Sequence, residues 1–265
     1  GSLLGIANAI RPFGLVLVIA VVVYYLLFAR DALSRIRRLL VVCTMALSYM
    51  VMGQIINHAI AAAIGKRPAT APVGFNLYVG ANSDSGGMWN PDDARALRGL
   101  LANPENTAQG IQDKLLVMAL DRIRSRSVAQ AARLLLDKHR AMWLGDSDIV
   151  NYILAGADTQ HPSDVNVYEH KDGIRTALNT YYYVMLVLGA VCGVVAWARR
   201  DTGYIIFCFL VILGTAMVHM CVEVNGRYHY PMMPLVAIVA GYGIVRCRSQ
   251  TLADGGTSPQ GAVTL

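Results

Sequence analysis

Residues 223–234 read EVNGRYHYPMMP, and the fold turns on where this stretch sits. It packs an acid, an arginine, a histidine and two tyrosines into twelve positions. Apolar runs flank it, Tyr204–Val222 before it and about Pro231–Val245 after it. A polar turn between two runs of that kind reads as the link between two bilayer-crossing helices. Working backward, three more apolar runs appear: Phe13–Ala29, about Leu39–Ile60 and about Tyr181–Ala198. A helix rises about 1.5 Å per residue, so a run of about 19 residues approaches the hydrocarbon thickness. The composition agrees. Charged residues make up 15% of the 265, against about a quarter in soluble proteins, and the mean hydropathy is +0.44. The expected fold class is therefore mainly α: a polytopic membrane helix bundle of about five spans plus a truncated one, with a small extracytoplasmic α-rich segment.

The start GSLLGIANAI lacks Met and reads as a helix already under way. The expectation is a C-terminal piece of a longer protein, although Gly1-Ser2 also fits a cloning remnant. No basic region precedes the first apolar run, so no signal peptide is read. Short-loop charges set the expected orientation. Arg30, Arg35, Arg37 and Arg38 follow the first run, Arg199 and Arg200 join the third and fourth, and Arg246 and Arg248 follow the fifth. Placing each cluster in the cytoplasm gives a consistent alternation. It divides the chain into helices over 1–64 with a cytoplasmic loop at 30–38, an extracytoplasmic segment over 65–178, three helices over 179–248, and a disordered cytoplasmic tail over 249–265. The expected location is the plasma membrane, multi-pass, with the long segment outside.

That long segment carries thirteen basic and thirteen acidic residues, so the chain's +6 comes from the membrane part. This argues against a nucleic-acid partner despite the high isoelectric point. The five cysteines all lie in or beside apolar runs, which suggests helix packing rather than a disulfide framework. No Cys/His spacing suggests zinc. No cofactor is expected, and a divalent metal is left open.

Within the segment, Phe75, Leu77 and Val79 alternate with Asn76, Tyr78 and Gly80, the pattern of a short strand. GANSDSGG, residues 80–87, is turn-rich. It lacks the spacing and lysine of a nucleotide loop and reads as a plain turn, or as a sugar or acceptor loop carrying Asn82, Asp84 and Trp89. Asn90-Pro91-Asp92-Asp93 starts a helix, with Asn90 as cap and Pro91 in the first turn. Helices are expected over about 91–102, 105–124 and 127–144. In the last, Val128, Ala132, Leu135, His139 and Met142 share an apolar face opposite Gln130, Arg133, Asp137 and Arg140, with Lys138 near the boundary. That face packs on its own domain or lies on a membrane. His58 and His219, in or near apolar runs, read as hydrogen-bonded core histidines, and Asn57 as a helix–helix contact.

Ionisable groups at a membrane boundary are costly unless paired or functional. For Glu223, Arg227 and His229 the plain reading is a Glu223–Arg227 pair among interfacial tyrosines. The functional one is an anion site, in which Arg227 grips a phosphate and tyrosine hydroxyls add donors. Arg11, before Pro12, faces the same side. A transporter reading is weaker, because the polar residues cluster at the rim rather than at the midplane.

Four stretches occur in order: GSLLGIANAIRPFG, NLYVGANSDSGGMWN, LLLDKHRAMW and EVNGRYHYPMMPLVAIVAGYG. Together they resemble the C-terminal half of bacterial glycosyltransferase family 39-like proteins, relatives of protein mannosyltransferases with the GT-C architecture. The most distinctive element is E-x-x-x-R-Y-x-x-P-x-x-P over Glu223 to Pro234. The resemblance covers most of the chain to about residue 245. It implies a membrane enzyme that moves a sugar from a polyprenyl-phosphate carrier to an extracytoplasmic protein, lipid or glycan acceptor. It also implies that the catalytic acid lies upstream of residue 1, and Asp92-Asp93 is not read in its place. Lipid-phosphate binding then falls to Arg227, Arg11, Tyr228 and His229, with Glu223 orienting them. The alternative is a non-catalytic membrane protein whose external segment binds a ligand or partner. The orientation has a direct check: a cysteine at Ser85 should be labelled by an impermeant reagent added to intact cells. Labelling at Ser34 instead would invert it.

Overall fold

A computed structural model describes residues 1–10, 13–29, 34–65, 73–146, 150, 168–198 and 203–255. Among them the chain is mainly helical, with no strand. In order come α1 (Ser2–Ile10), α2 (Gly14–Val23) running into a π turn (Tyr24–Phe28), and α3 (Arg35–Ile64). The polar unit follows as α4 (Gly74–Gly80), α5 (Pro91–Ala102), α6 (Ala108–Arg124) and α7 (Val128–Trp143). The chain ends with α8 (Lys171–Ala198), α9 (Gly203–Cys221), a 3-10 turn (Gly226–Met232) and α10 (Met233–Gly255).

Three stretches are long and apolar enough to cross a bilayer: Arg35–Ile64, Lys171–Ala198 and Gly226–Val245. Gly14–Phe28 and Ile205–Cys221 are apolar but shorter. This is a membrane protein by the length and composition of those helices. The helices pair as α1 with α3, α2 with α9, and α8 with α10. Small residues set the close approaches. A Cβ on Gly243 would come within 2.2 Å of the Cys192 Cβ, and one on Gly189 within 2.6 Å of Val236. Without water to drive helices together, such backbone approach is what holds them. Cys192 and Cys208 are buried in this packing, whereas Cys43 and Cys221 are exposed. The outer helix α3 buries only Arg38, and His58 is exposed on it rather than in a core.

The polar unit is built as its caps dictate. Asn90 accepts from the Asp93 N–H with Pro91 in the first turn, Thr107 accepts from Gly110, and Ser127 and Gln130 form a capping box. Its core is Tyr78, Ile111, Leu115 and Ala119, with Phe75, Leu77, Leu97 and Leu100 around them.

Four expectations change. Residues 75–80 form helix α4, not a strand. The alternation spans too few residues to separate the two periods, and the helix lies on α6 with the Phe75 N–H donating to Gln112 Oε1 at 3.1 Å. On α7 the buried row is Leu134, Lys138 and Met142, whereas Val128 is 88% exposed and Leu135 is also outside. The reason is Lys138, which has a polar partner indoors. Helix α8 starts at Lys171, ahead of the expected boundary at 179. Helix α10 runs through Ser249 to Gly255, because Ser249–Asp254 contains no breaker before the paired glycines; residues 256–265 lie outside the described residues.

Gly80 passes close to the chain leaving α9, since a Cβ there would sit 2.3 Å from the Val222 backbone carbon. Gly80→Ala should therefore destabilise by about 1–3 kcal/mol. Gly99→Ala, in the open interior of α5 with nothing within 4 Å, should stabilise by about 0.5–1 kcal/mol. Apparent unfolding temperatures of the two purified variants check the pair.

Candidate functional site

A helix end leaves its last carbonyls without partners. At the end of α9 the partner comes from α7. The Lys138 ammonium donates to the Met220 carbonyl at 2.9 Å and the Val222 carbonyl at 2.7 Å. Lys138 is 1% exposed. A cation at a helix C-terminus also meets the negative end of the dipole. Burial pushes the ammonium down to about 8; the nearby Cys221 opposes that shift and the Arg126 charge adds to it.

Beyond this cap the chain runs between α4 and the 80–87 loop. The Glu223 N–H donates to the Asn76 carbonyl at 2.8 Å, and the Val224 N–H to the Gly87 carbonyl at 3.0 Å. Gly87 has φ +76°, and a Cβ there would come within 2.3 Å of the Lys138 side chain. The loop is therefore both left-handed and tight at this residue. Asn225 then caps the 3-10 turn through the Arg227 N–H at 3.2 Å.

The turn brings Glu223, Arg227 and Tyr228 together. The Tyr228 hydroxyl donates to Glu223 Oε1 at 3.2 Å. Arg227, exposed, hydrogen-bonds Tyr228, and its charge acts on Glu223. Burial raises the Glu223 carboxyl, while the Tyr228 hydrogen bond and the Arg227 charge pull it down. His219 reads as expected: its Nδ1 lies 2.9 Å from the Glu223 carbonyl, and its ring stacks on Tyr228 with centroids 4.4 Å apart. Tyr228 is thus clamped between a ring and a carboxylate, with Arg227 at the outer end.

His229 does not join this group, which corrects its place in the expected anion site. It is 0% exposed. Its Nδ1 lies 2.8 Å from the Met142 carbonyl and its Nε2 3.2 Å from Asp146 Oδ1. Tyr182, Tyr230 and Trp143 surround the ring. Both ring nitrogens lie against protein oxygens, so neither faces a ligand. This histidine pins the end of α7 to the turn, and the Tyr182 hydroxyl adds a bond to the Trp143 carbonyl at 3.2 Å. Arg11 lies outside the described residues.

The loop residues divide as well. The Asn82 amide donates to Asp93 Oδ2 at 3.1 Å, and its Oδ1 accepts from the Asp84 N–H. Asp93, 1% exposed, also accepts from Asn90 at 2.8 Å and from Arg122 at 2.8 Å. Burial alone would raise its carboxyl; the bonds from Arg122, Asn90 and Asn82 and the Arg122 charge hold it below the usual carboxylate value. Arg122 in turn donates to the Tyr78 carbonyl at 2.8 Å and lies over the Tyr78 ring. Asn82 therefore shapes the loop from inside. Asp84 faces outward into a cleft of about 640 Å³ against α7. Trp89 is 55% exposed and does not line that cleft. Lys138, Asp146 and the Asp93–Arg122 pair are the residues that the sequence did not single out. Lys138 inside an amphipathic helix was the one available signal.

Comparison with protein-family models, with curated proteins and with solved structures returns no match.

Lys138→Met should leave two carbonyls at the end of α9 without donors, costing about 1–3 kcal/mol for each buried group. The pH dependence has a defined sign. The unfolded chain keeps the lysine proton up to the ordinary value of 10.5, and the folded chain releases it near 8. Between those values the unfolded state binds more protons, so wild-type stability should rise with pH relative to Lys138→Met, by up to ~3 kcal/mol. Apparent stability of both proteins measured from pH 7 to 11 checks it.

Proposed function

We propose that this chain is the carrier-binding part of an integral-membrane glycosyltransferase that takes a sugar from a polyprenyl-phosphate carrier and passes it to an extracytoplasmic protein or glycan. The observation that carries the reading is the Glu223–Tyr228–Arg227 group on the short turn that leads into a bilayer-long helix. A guanidinium at headgroup level is the side chain suited to a phosphate, through paired N–H donors and a permanent charge.

The chemistry asked of these residues is electrostatic. As the bond from the sugar's anomeric carbon to the phosphate oxygen breaks, negative charge grows on the phosphate. Arg227 meets that charge, and Tyr228, fixed by His219 and Glu223, keeps the guanidinium from swinging away. Glu223 holds the tyrosine and balances the arginine before the carrier arrives. The base that takes the acceptor's proton lies, on the family resemblance, in a loop upstream of residue 1. Arg11 is proposed as a second phosphate contact. In this reading all five apolar helices cross the bilayer, the two short ones within the bundle, and the polar unit faces outside with the bilayer as its neighbour. No nucleic acid is part of the proposal, nor is a cofactor, with a divalent metal left open.

A second reading has its own support. The cleft between the 83–88 loop and α7 suits a non-catalytic membrane protein whose polar unit binds a ligand or partner.

In the full-length protein, Arg227→Ala should lower sugar transfer by about a hundredfold or more while insertion and unfolding temperature stay as in wild type. Tyr228→Phe, which keeps the ring stacking, should lower it less. Wild-type rates in Arg227→Ala, measured with a radiolabelled polyprenyl-phosphate sugar in membranes, would remove the carrier-phosphate reading.

A further inference from the structure

The cleft on the polar unit goes beyond the carrier-phosphate reading and stands whether or not that reading holds. It measures about 640 Å³ and is lined by Ser83, Asp84, Ser85, Gly86 and Met88 on the loop side and by Gln130, Arg133, Leu134 and Asp137 on α7. We propose that it binds a neutral saccharide.

Three features of the lining lead there. The first is the donor and acceptor balance. The Gln130 Oε1 is occupied by the Ser127 N–H at 2.9 Å and the Ser127 hydroxyl at 3.2 Å, so only its NH₂ donors remain. Arg133 makes no ion pair among the described residues and supplies further donors. Asp84 and Asp137 supply acceptors, the Ser83 hydroxyl supplies both roles, and the Ser85 hydroxyl, which donates to the Asn82 carbonyl at 3.4 Å, supplies an acceptor. A ligand that meets both donors and acceptors in one cleft is matched by groups that can themselves do both. Adjacent sugar hydroxyls do so, and planar carboxylate, amide and guanidinium groups can each bridge a neighbouring pair.

The second is charge. A phosphorylated or carboxylated ligand would meet Asp84 and Asp137. A cationic one would meet Arg133. Arg140 also lies 4.0 Å from Asp137, and the charge of Arg126 acts near Asp84. Charges of both signs therefore flank the cleft, so a ligand of either net charge meets a like charge there and a neutral one does not. The third is the apolar pair Met88 and Leu134, which offers the C–H face of a sugar ring a surface that water wets poorly. The volume falls inside the range of about 300–1,000 Å³ typical of small-molecule sites.

The loop is also held in place before any ligand arrives. Asn82 is fixed to the buried Asp93, Gly87 donates to the Asn82 carbonyl at 2.8 Å, and Val224 reaches the Gly87 carbonyl from the other side. An ordered loop lowers the entropy cost of binding.

The test uses the full-length protein in lipid nanodiscs, because alkyl-glycoside detergents present the very group in question. Saturation-transfer difference NMR is recorded with methyl α-mannopyranoside, maltose and cellobiose, and with glucose 6-phosphate and glucosamine as charged controls. At least one neutral sugar should show transfer and bind more tightly than either charged control. Asp84→Asn with Asp137→Asn, and separately Arg133→Gln, should weaken it by about tenfold or more, with circular dichroism unchanged, since all three side chains sit at the surface. Arg227→Ala should leave it intact, which separates this site from the carrier-phosphate turn. No saturation transfer from folded wild type to any neutral sugar, equal binding by the variants, or a preference for a charged control would overturn the proposal.

Discussion

One buried cation organises this molecule. Lys138 enters the protein from the middle of α7 and ends on the last carbonyls of α9. A lysine with no polar partner there would cost several kilocalories and would turn outward. The helix end supplies what it needs, and the lysine supplies what the helix end needs. Everything nearby follows from that exchange. Helix α7 must present Leu134, Lys138 and Met142 inward. The 80–87 loop must then pass over the lysine stem at a residue without a side chain, Gly87. The extended residues after α9 are left with free N–H groups at Glu223 and Val224, and α4 and the loop accept them.

A polar turn at the rim of apolar helices has little to hold it in one geometry, since lipid offers no hydrogen bonds. Here the turn is fixed from two sides. His229 ties it to Met142 and Asp146, and Tyr228 ties it to Glu223 and His219. Arg227 immediately precedes these two anchored residues, and its side chain is exposed. That is an economical way to hold a long, mobile side chain near one position, because the rings beside it lose little freedom on being fixed.

Much of this was legible in the sequence, and the failures have physical causes. The cap at Asn90 is local, made by residues three apart, so the helix it starts falls where expected, and the helices begun by Thr107 and Ser127, caps the sequence reading did not name, start within three residues of the expected positions. The alternation at Phe75–Val79 misled because only one of those residues, Val79, is β-branched, and among the described residues there is no strand to pair with it. A helix that touches both α6 and the chain after α9 buries residues on more than one side, and over six positions that resembles a period of two. Lys138 was placed at a boundary because any hydropathy reading counts lysine as outward. The carbonyls that draw it inward are 82 and 84 residues further along. His229 failed in the same way: its partners are 87 and 83 residues earlier. Composition finds the turn, but which of its side chains face out depends on contacts between distant parts of the chain.

Those long separations also fix an order of events during synthesis. The polar unit can form its Tyr78–Leu115 core and its Asp93–Arg122 pair from residues 73–124 alone. Its seat on the membrane helices cannot close until residues 219–232 have emerged and α9 has inserted. Closing a loop of that length is slow compared with local helix formation. Until then Lys138 stays hydrated and α7 has no reason to bury its inner row. The contacts that seat the polar unit therefore come last in chain order, and the Lys138 bonds to Met220 and Val222 can form only once the end of α9 has been made.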